Sequence, residues 1–167
     1  MRKILIVVCV SILCLSGGCC FLSSNCVSSS GLDRDFERFI SLRKKLSEER
    51  NERRIKNIEF AIAEYYFKIN DFVDARLAFE DYKKNRLADL HILLANCYLY
   101  KIAQTAGQAQ ITEDLKKEIF NKQFVLLFDR YKSIKYKSLL GSQYEILYFV
   151  DKIDVFLNGD VFVQIVP

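Results

Sequence analysis

Apolar residues recur at helical spacing through most of the chain. Leu32, Phe36, Phe39, Ile40 and Leu46 make a narrow stripe, and Asp33 and Asp35 suit its start, which predicts a helix from Leu32 to Leu46. Residues 47–54 (SEERNERR) hold no apolar side chain and fit either a solvated helical stretch or a break. Ile55–Ile69 reads as a second helix and Asn70-Asp71 as a short turn. Phe72–Asn85 reads as a third helix, with Phe72, Ala75, Phe79 and Tyr82 on one face; Ala88–Gln104 is a fourth, carrying Leu90, Leu94, Cys97 and Tyr98. Thr105–Ile111 (TAGQAQI) reads as a loop. Thr112 with Glu113 and Asp114 then reads as a helix start, the acids lying at the positive end of the dipole, and that helix is expected to run to Leu139.

The C-terminal third allows two readings. Ser142 with Glu145 three residues later has the spacing of a capping box, and Leu147, Val150, Ile153 and Leu157 continue at helical intervals, which predicts a last helix to Leu157. Asn158-Gly159 suits that helix's C-cap. It also suits a two-residue hairpin turn between Ile153–Leu157 and Asp160–Val166, both β-prone. The capping spacing favours the helix. The tail, residues 158–167, is apolar and must pack on something.

Breakers are scarce. The single Pro is the last residue, and two of the six Gly lie within the first 18 residues. The expectation is therefore an all-α domain over residues 32–157, built of antiparallel helix pairs.

The N-terminus differs in kind. Met1-Arg2-Lys3 precedes an apolar run from Ile4 to Leu15, then Ser16-Gly17-Gly18-Cys19-Cys20. A basic start, a short apolar stretch and a small-residue exit describe an export signal over residues 1–18. The run falls short of the roughly 20 residues that a membrane span needs. Residues 19–31 are rich in Ser, and residues 19–30 carry no charge, which describes a flexible tether. Gly17-Gly18-Cys19 resembles the lipobox of bacterial lipoproteins, with Ser16 where that family usually has Leu. The resemblance implies a diacylglycerol thioether on Cys19, with Cys20 as the second candidate. It also implies a lipid-anchored place in the bacterial cell envelope, at the outer membrane or the periplasmic face.

Six cysteines do not make a disulfide framework here, because only Cys97 falls within the domain. The chain carries 25 Lys and Arg against 21 Asp and Glu, and Arg2 and Lys3 leave with the signal. So small an excess, interspersed with acids, gives no case for nucleic acid. Lys116-Lys117, Arg130, Lys132, Lys135 and Lys137 read as a solvated helix face, with a membrane-headgroup or acidic-partner contact as the alternative. The single His, His91, has no Cys or acid at a motif spacing, and no glycine-rich phosphate loop is present. Neither an enzyme nor a cofactor is expected.

Ala63, Tyr66, Ala75 and Phe79 stand in the register of small and aromatic positions of a tetratricopeptide repeat (TPR), and one period of about 34 residues on stand Cys97 and Tyr100. The segment from Lys56 to Tyr100 resembles that family. It departs at Glu59 and Leu87, where the family's Trp and Pro would stand, and beyond Tyr100, where Ala109 and Glu113 end the match. The resemblance implies an α-solenoid fragment with flanking helices, serving as a protein-interaction scaffold. It carries a groove onto Asn57, Phe60, Glu64, Phe67 and Lys68, and onto His91, Leu94, Tyr98 and Lys101. The competing expectation is that the N-terminal helix or the apolar tail folds over this stripe and makes it core. Tyr65-Tyr66 ahead of Ala75 and Phe79 is also similar to the repeat lipoprotein of the outer-membrane β-barrel assembly machinery. That likeness implies a role in outer-membrane protein assembly. The alternative function is a structural or surface-exposed helical-bundle lipoprotein without a groove.

Overall fold

The computed structural model describes residues 29–84, 89–121, 133–149 and 152–167. The leader, Cys19, Cys20 and nearly all of the tether lie outside them, as does the stretch 122–132 of the helix expected to run from Thr112 to Leu139. Helices come first: α1 (Ser29–Glu48), α2 (Glu52–Lys68), α3 (Phe72–Lys83), α4 (Leu90–Thr105) and α5 (Ala109–Ile119). Strands follow: β1 (Ser133–Lys137), β2 (Gln143–Phe149), β3 (Lys152–Leu157) and β4 (Asp160–Ile165).

Local chemistry sets the helix ends. Asn51 caps α2 by accepting the Arg54 N–H, and Glu52 sits in the first turn, where the dipole favours an acid. Asn70 takes φ +61°, the left-handed conformation that lets the Asp71 N–H reach back to the Tyr66 carbonyl. Asp71 then caps α3 by accepting the Asp74 N–H. One dipeptide thus stops a helix and starts the next. Asp89 caps α4 in the same way, and Gly107, at φ +67°, closes it. α5 begins at Ala109, ahead of the expected Thr112, whose hydroxyl instead donates to the Gln108 carbonyl inside the first turn. Each helix packs on the next, α1 on α2, α2 on α3, α3 on α4 and α4 on α5.

The all-α expectation is overturned by an antiparallel meander in the order β1-β2-β3-β4. From Ser133 onward the period is two. Ile134 and Tyr136, Tyr144 and Ile146, and Ile153 and Val155 all turn toward the helices, and β-branched and aromatic residues fit such a half-buried pleat. Ser142 caps nothing: its N–H bonds the Ser138 hydroxyl in the β1–β2 loop, and Glu145 lies on β2 opposite Lys135. Asn158 and Gly159 both have positive φ, the type of turn that joins twisted strands with two residues. The tail is β4, paired along β3. A bulge there sets Val155 against Val163 but Phe156 against Val161, leaving Phe162 unopposed. Phe162 packs on Phe67 and Tyr98.

The sheet lies over α2 and α4. Phe60 of α2 is the hub, ringed by Phe79, Tyr82, His91, Tyr98, Tyr136 and Tyr144 at centroid distances of 5.4–6.3 Å. Most of these contacts are edge-to-face, the arrangement that aromatic quadrupoles favour. Ala63 and Ala75 are fully buried within the same core. A smaller cluster holds α1 to α2 through Leu42, Ile58, Ile62 and Tyr65, with Phe39 stacked on Tyr65 at 4.2 Å.

Candidate functional site

Most of the residues that the repeat register assigns to an inner groove are covered, while Asn57 and His91 together line a pocket of about 490 Å³. Phe60, Glu64, Leu94 and Tyr98 are fully buried. Phe67 is half-buried against Phe72, Tyr98 and Phe162, and His91 lies edge-on to Tyr136 at 4.8 Å. Lys68 pairs with Asp35 at 3.0 Å, tying α2 to α1. Lys101 is half-buried on α4, and Asn57 opens onto a different surface, described below. The covering element is the sheet: β1 to β3 fall where helix is expected, and β4 is the apolar tail, whose Phe162 packs on Phe67 and Tyr98.

Beneath the sheet sits a polar cluster absent from the sequence reading. Glu64 projects from α2 into the core, and neither carboxyl oxygen has a hydrogen bond of ordinary geometry. The hydroxyls of Ser142, Ser138 and Tyr144 lie near it and partly offset its burial, but desolvation prevails and raises its pKa. Tyr144 in turn shares a 2.7 Å hydrogen bond with Tyr98. Desolvation and the nearby Glu64 hold both phenols well above their ordinary value. A carboxyl in its protonated form can donate to a hydroxyl where a carboxylate could not, so burial favours the uncharged form of the cluster.

The β1–β2 loop places the serines of this cluster. Ser138 and Ser142 turn inward, and Leu140 inserts between α1 and α2 among Leu42, Ile58 and Tyr65. The Arg38 guanidinium donates to the Leu140 carbonyl at 2.7 Å. Gly141, at φ +93°, passes so close that a Cβ there would lie 2.9 Å from that guanidinium.

Outside this clamp lies a groove of about 900 Å³, walled by Arg38, Ser41 and Lys45 of α1, by Asn57 of α2 and by Lys137 and Leu139 of the strand and loop. No carboxylate among the described residues lies within 4.0 Å of the cationic groups of Arg38, Lys45 or Lys137. The groove's one acid, Glu49, is engaged elsewhere: it accepts the Asn51 and Arg50 N–H groups, which lower its pKa, and pairs with Arg54 at 3.8 Å. The groove is therefore net positive. Of the basic residues read as one helix face, Lys116 and Lys117 pair with Glu113 and Asp114 on α5, Lys135 pairs with Glu145 across the sheet, and only Lys137 reaches the groove. Arg130 and Lys132 lie outside the described residues.

A second cleft, of about 410 Å³, runs over α2 between α1 and α3, lined by Arg43 and Ser47 on one side and Ala78 and Asp81 on the other. The helices that bound it also carry apolar side chains left in water: Phe36 and Ile40 on α1, 47% and 48% exposed, and Val73 and Leu77 on α3, 71% and 59% exposed.

No protein-family model, no curated protein and no solved structure matches this chain.

Proposed function

We propose that this chain is a lipid-anchored protein of the bacterial cell envelope whose helix-and-sheet domain binds a protein partner and carries out no catalysis. The address rests on the leader and on Gly17-Gly18-Cys19. The observation that supports binding is the pair of exposed apolar stripes, Phe36 with Ile40 on α1 and Val73 with Leu77 on α3. Large apolar groups set in a charged surround are the composition of an interaction site. The partner's place is thus the outer side of α1 and α3, and the face beneath the sheet takes no part. The likeness of Tyr65-Tyr66 and the following Ala75 and Phe79 to the barrel-assembly lipoprotein makes outer-membrane protein assembly the specific role within this proposal.

Cys19→Ser should abolish fatty-acid incorporation and release the protein from envelope membranes. A photo-crosslinker at Leu77 should capture a partner from native envelopes, whereas one at Lys101 should not. Crosslinks to barrel-assembly components would support the specific role. The burial of Phe60 and Tyr98 favours a second reading, a surface lipoprotein without a binding groove; it predicts labelling on Cys19 and no crosslink at Leu77.

A further inference from the structure

We propose that the basic groove formed by Arg38, Ser41, Lys45 and Lys137 binds the phosphodiester headgroups of an anionic membrane and so sets the domain's orientation on the bilayer. The inference rests on the reading of Cys19 as a lipid anchor.

The groove offers what such headgroups need. Arg38, Lys45 and Lys137 lack an acidic partner among the described residues, and Glu49 spends its charge on two backbone amides and Arg54. Arg38 is held in place by its bond to the Leu140 carbonyl, which leaves further N–H donors of its planar fork free to meet a phosphate. Ser41 and Asn57 add neutral hydrogen-bonding groups to the walls. At the lip stands Leu139, an exposed apolar residue on a loop beside these cations, the pairing found where proteins enter a membrane interface.

Placement agrees with chemistry. Arg38, Ser41 and Lys45 lie on one stripe of α1, spaced three and four residues apart, and Arg34 continues it one turn toward the N-terminus. Between Cys19 and Ser29 about ten residues span at most roughly 35 Å, so an anchored α1 stays within reach of the bilayer surface. On a helix turning by about 100° per residue, this stripe lies roughly 160° from that of Phe36 and Ile40. The α1 part of the face proposed for the protein partner, Phe36 and Ile40, therefore points away from the membrane when the basic groove rests on it. Each cation near an anionic surface strengthens attachment roughly fivefold, and the effect fades as salt screens it.

The test uses the lipidated full-length protein on vesicles of pure phosphatidylcholine and on vesicles containing phosphatidylglycerol. Sedimentation and amide hydrogen exchange are read together. The protein should sediment with both, while exchange in α1 and in the loop 138–142 slows only with phosphatidylglycerol. That contrast should vanish in about 0.5 M salt and in the double variant Lys45→Glu, Lys137→Glu, which should still sediment with both vesicles. Equal exchange on the two vesicles overturns the proposal. Slowing by a polyglutamate peptide without a phosphatidylglycerol effect also overturns it, in favour of an acidic polypeptide. A protein that leaves phosphatidylcholine yet binds phosphatidylglycerol through Lys45 and Lys137 supports the groove and refutes the anchor. Binding to neither vesicle refutes both.

Discussion

The hydroxyls of Tyr98 in α4 and Tyr144 in β2 lie 2.7 Å apart in a fully buried site, so one hydrogen bond links the helical layer to the sheet across 46 residues of sequence. Tyr98→Phe or Tyr144→Phe should each cost about 1–3 kcal/mol, because the surviving hydroxyl keeps its burial and loses this partner. The double variant should cost less than the sum of the two. Urea unfolding of the three variants measures the coupling; strict additivity would mean that the bond contributes nothing.

Glu64 makes stability depend on pH in the less usual direction. Its folded pKa is raised above the ordinary 4.5, chiefly by desolvation. Below that ordinary value the carboxyl is protonated in both states and its contribution is complete. Above it the unfolded chain ionises first, and stability falls as pH rises toward the folded pKa. Glu64→Gln keeps the shape and cannot ionise. The stability of the wild type relative to this variant should therefore decline from about pH 4 upward. A difference that stays flat with pH would show that Glu64 is not desolvated.

Ala75 is fully buried where α3 meets α2. Ala75→Leu should overpack the core that Ala75 shares with Ala63 and Phe60 and destabilise the domain by about 1–3 kcal/mol. Thermal or urea melting checks it, and an unchanged curve would mean that the helix pair is loosely packed.

Burial pushes the Cys97 thiol up to about 12, so almost no thiolate exists at neutral pH. Peptide mapping after exposure to iodoacetamide should find Cys97 unmodified in the native protein and alkylated in denaturant. The rate between these limits should follow the population of globally opened molecules.

The helical half was legible because its punctuation is local. Asn70-Asp71 carries its own capping chemistry, and no distant contact is needed to read it; the Asp89 cap goes unread, since that helix is expected from Ala88. The C-terminal half was misread because two periods compete there. Ser142 and Glu145 have capping-box spacing, and Leu147, Val150, Ile153 and Leu157 keep helical intervals. The alternation of Ile134 with Tyr136 and of Tyr144 with Ile146 has period two, and tertiary packing on Phe60 and Tyr98 decides between them. Which side of α2 would be covered was not readable, since Phe60 and Phe67 look alike whether they bind a partner or the protein's own sheet. The basic groove was invisible for another reason: Arg38 and Lys137 are neighbours only because Leu140 inserts between α1 and α2.

The order of the elements has a consequence for biogenesis. Among the described residues, every strand that covers Phe60, Glu64, Leu94 and Tyr98 follows residue 132, and β4 pairs only with β3. A chain that emerges N-terminus first, from ribosome or translocase, completes its helices while this aromatic stripe is still bare. Until Val163 and Ile165 arrive, the nascent domain presents a sticky face and an unpaired strand, the features that holding chaperones recognise. The arrival of β4 thus governs when the newborn domain stops being a chaperone client.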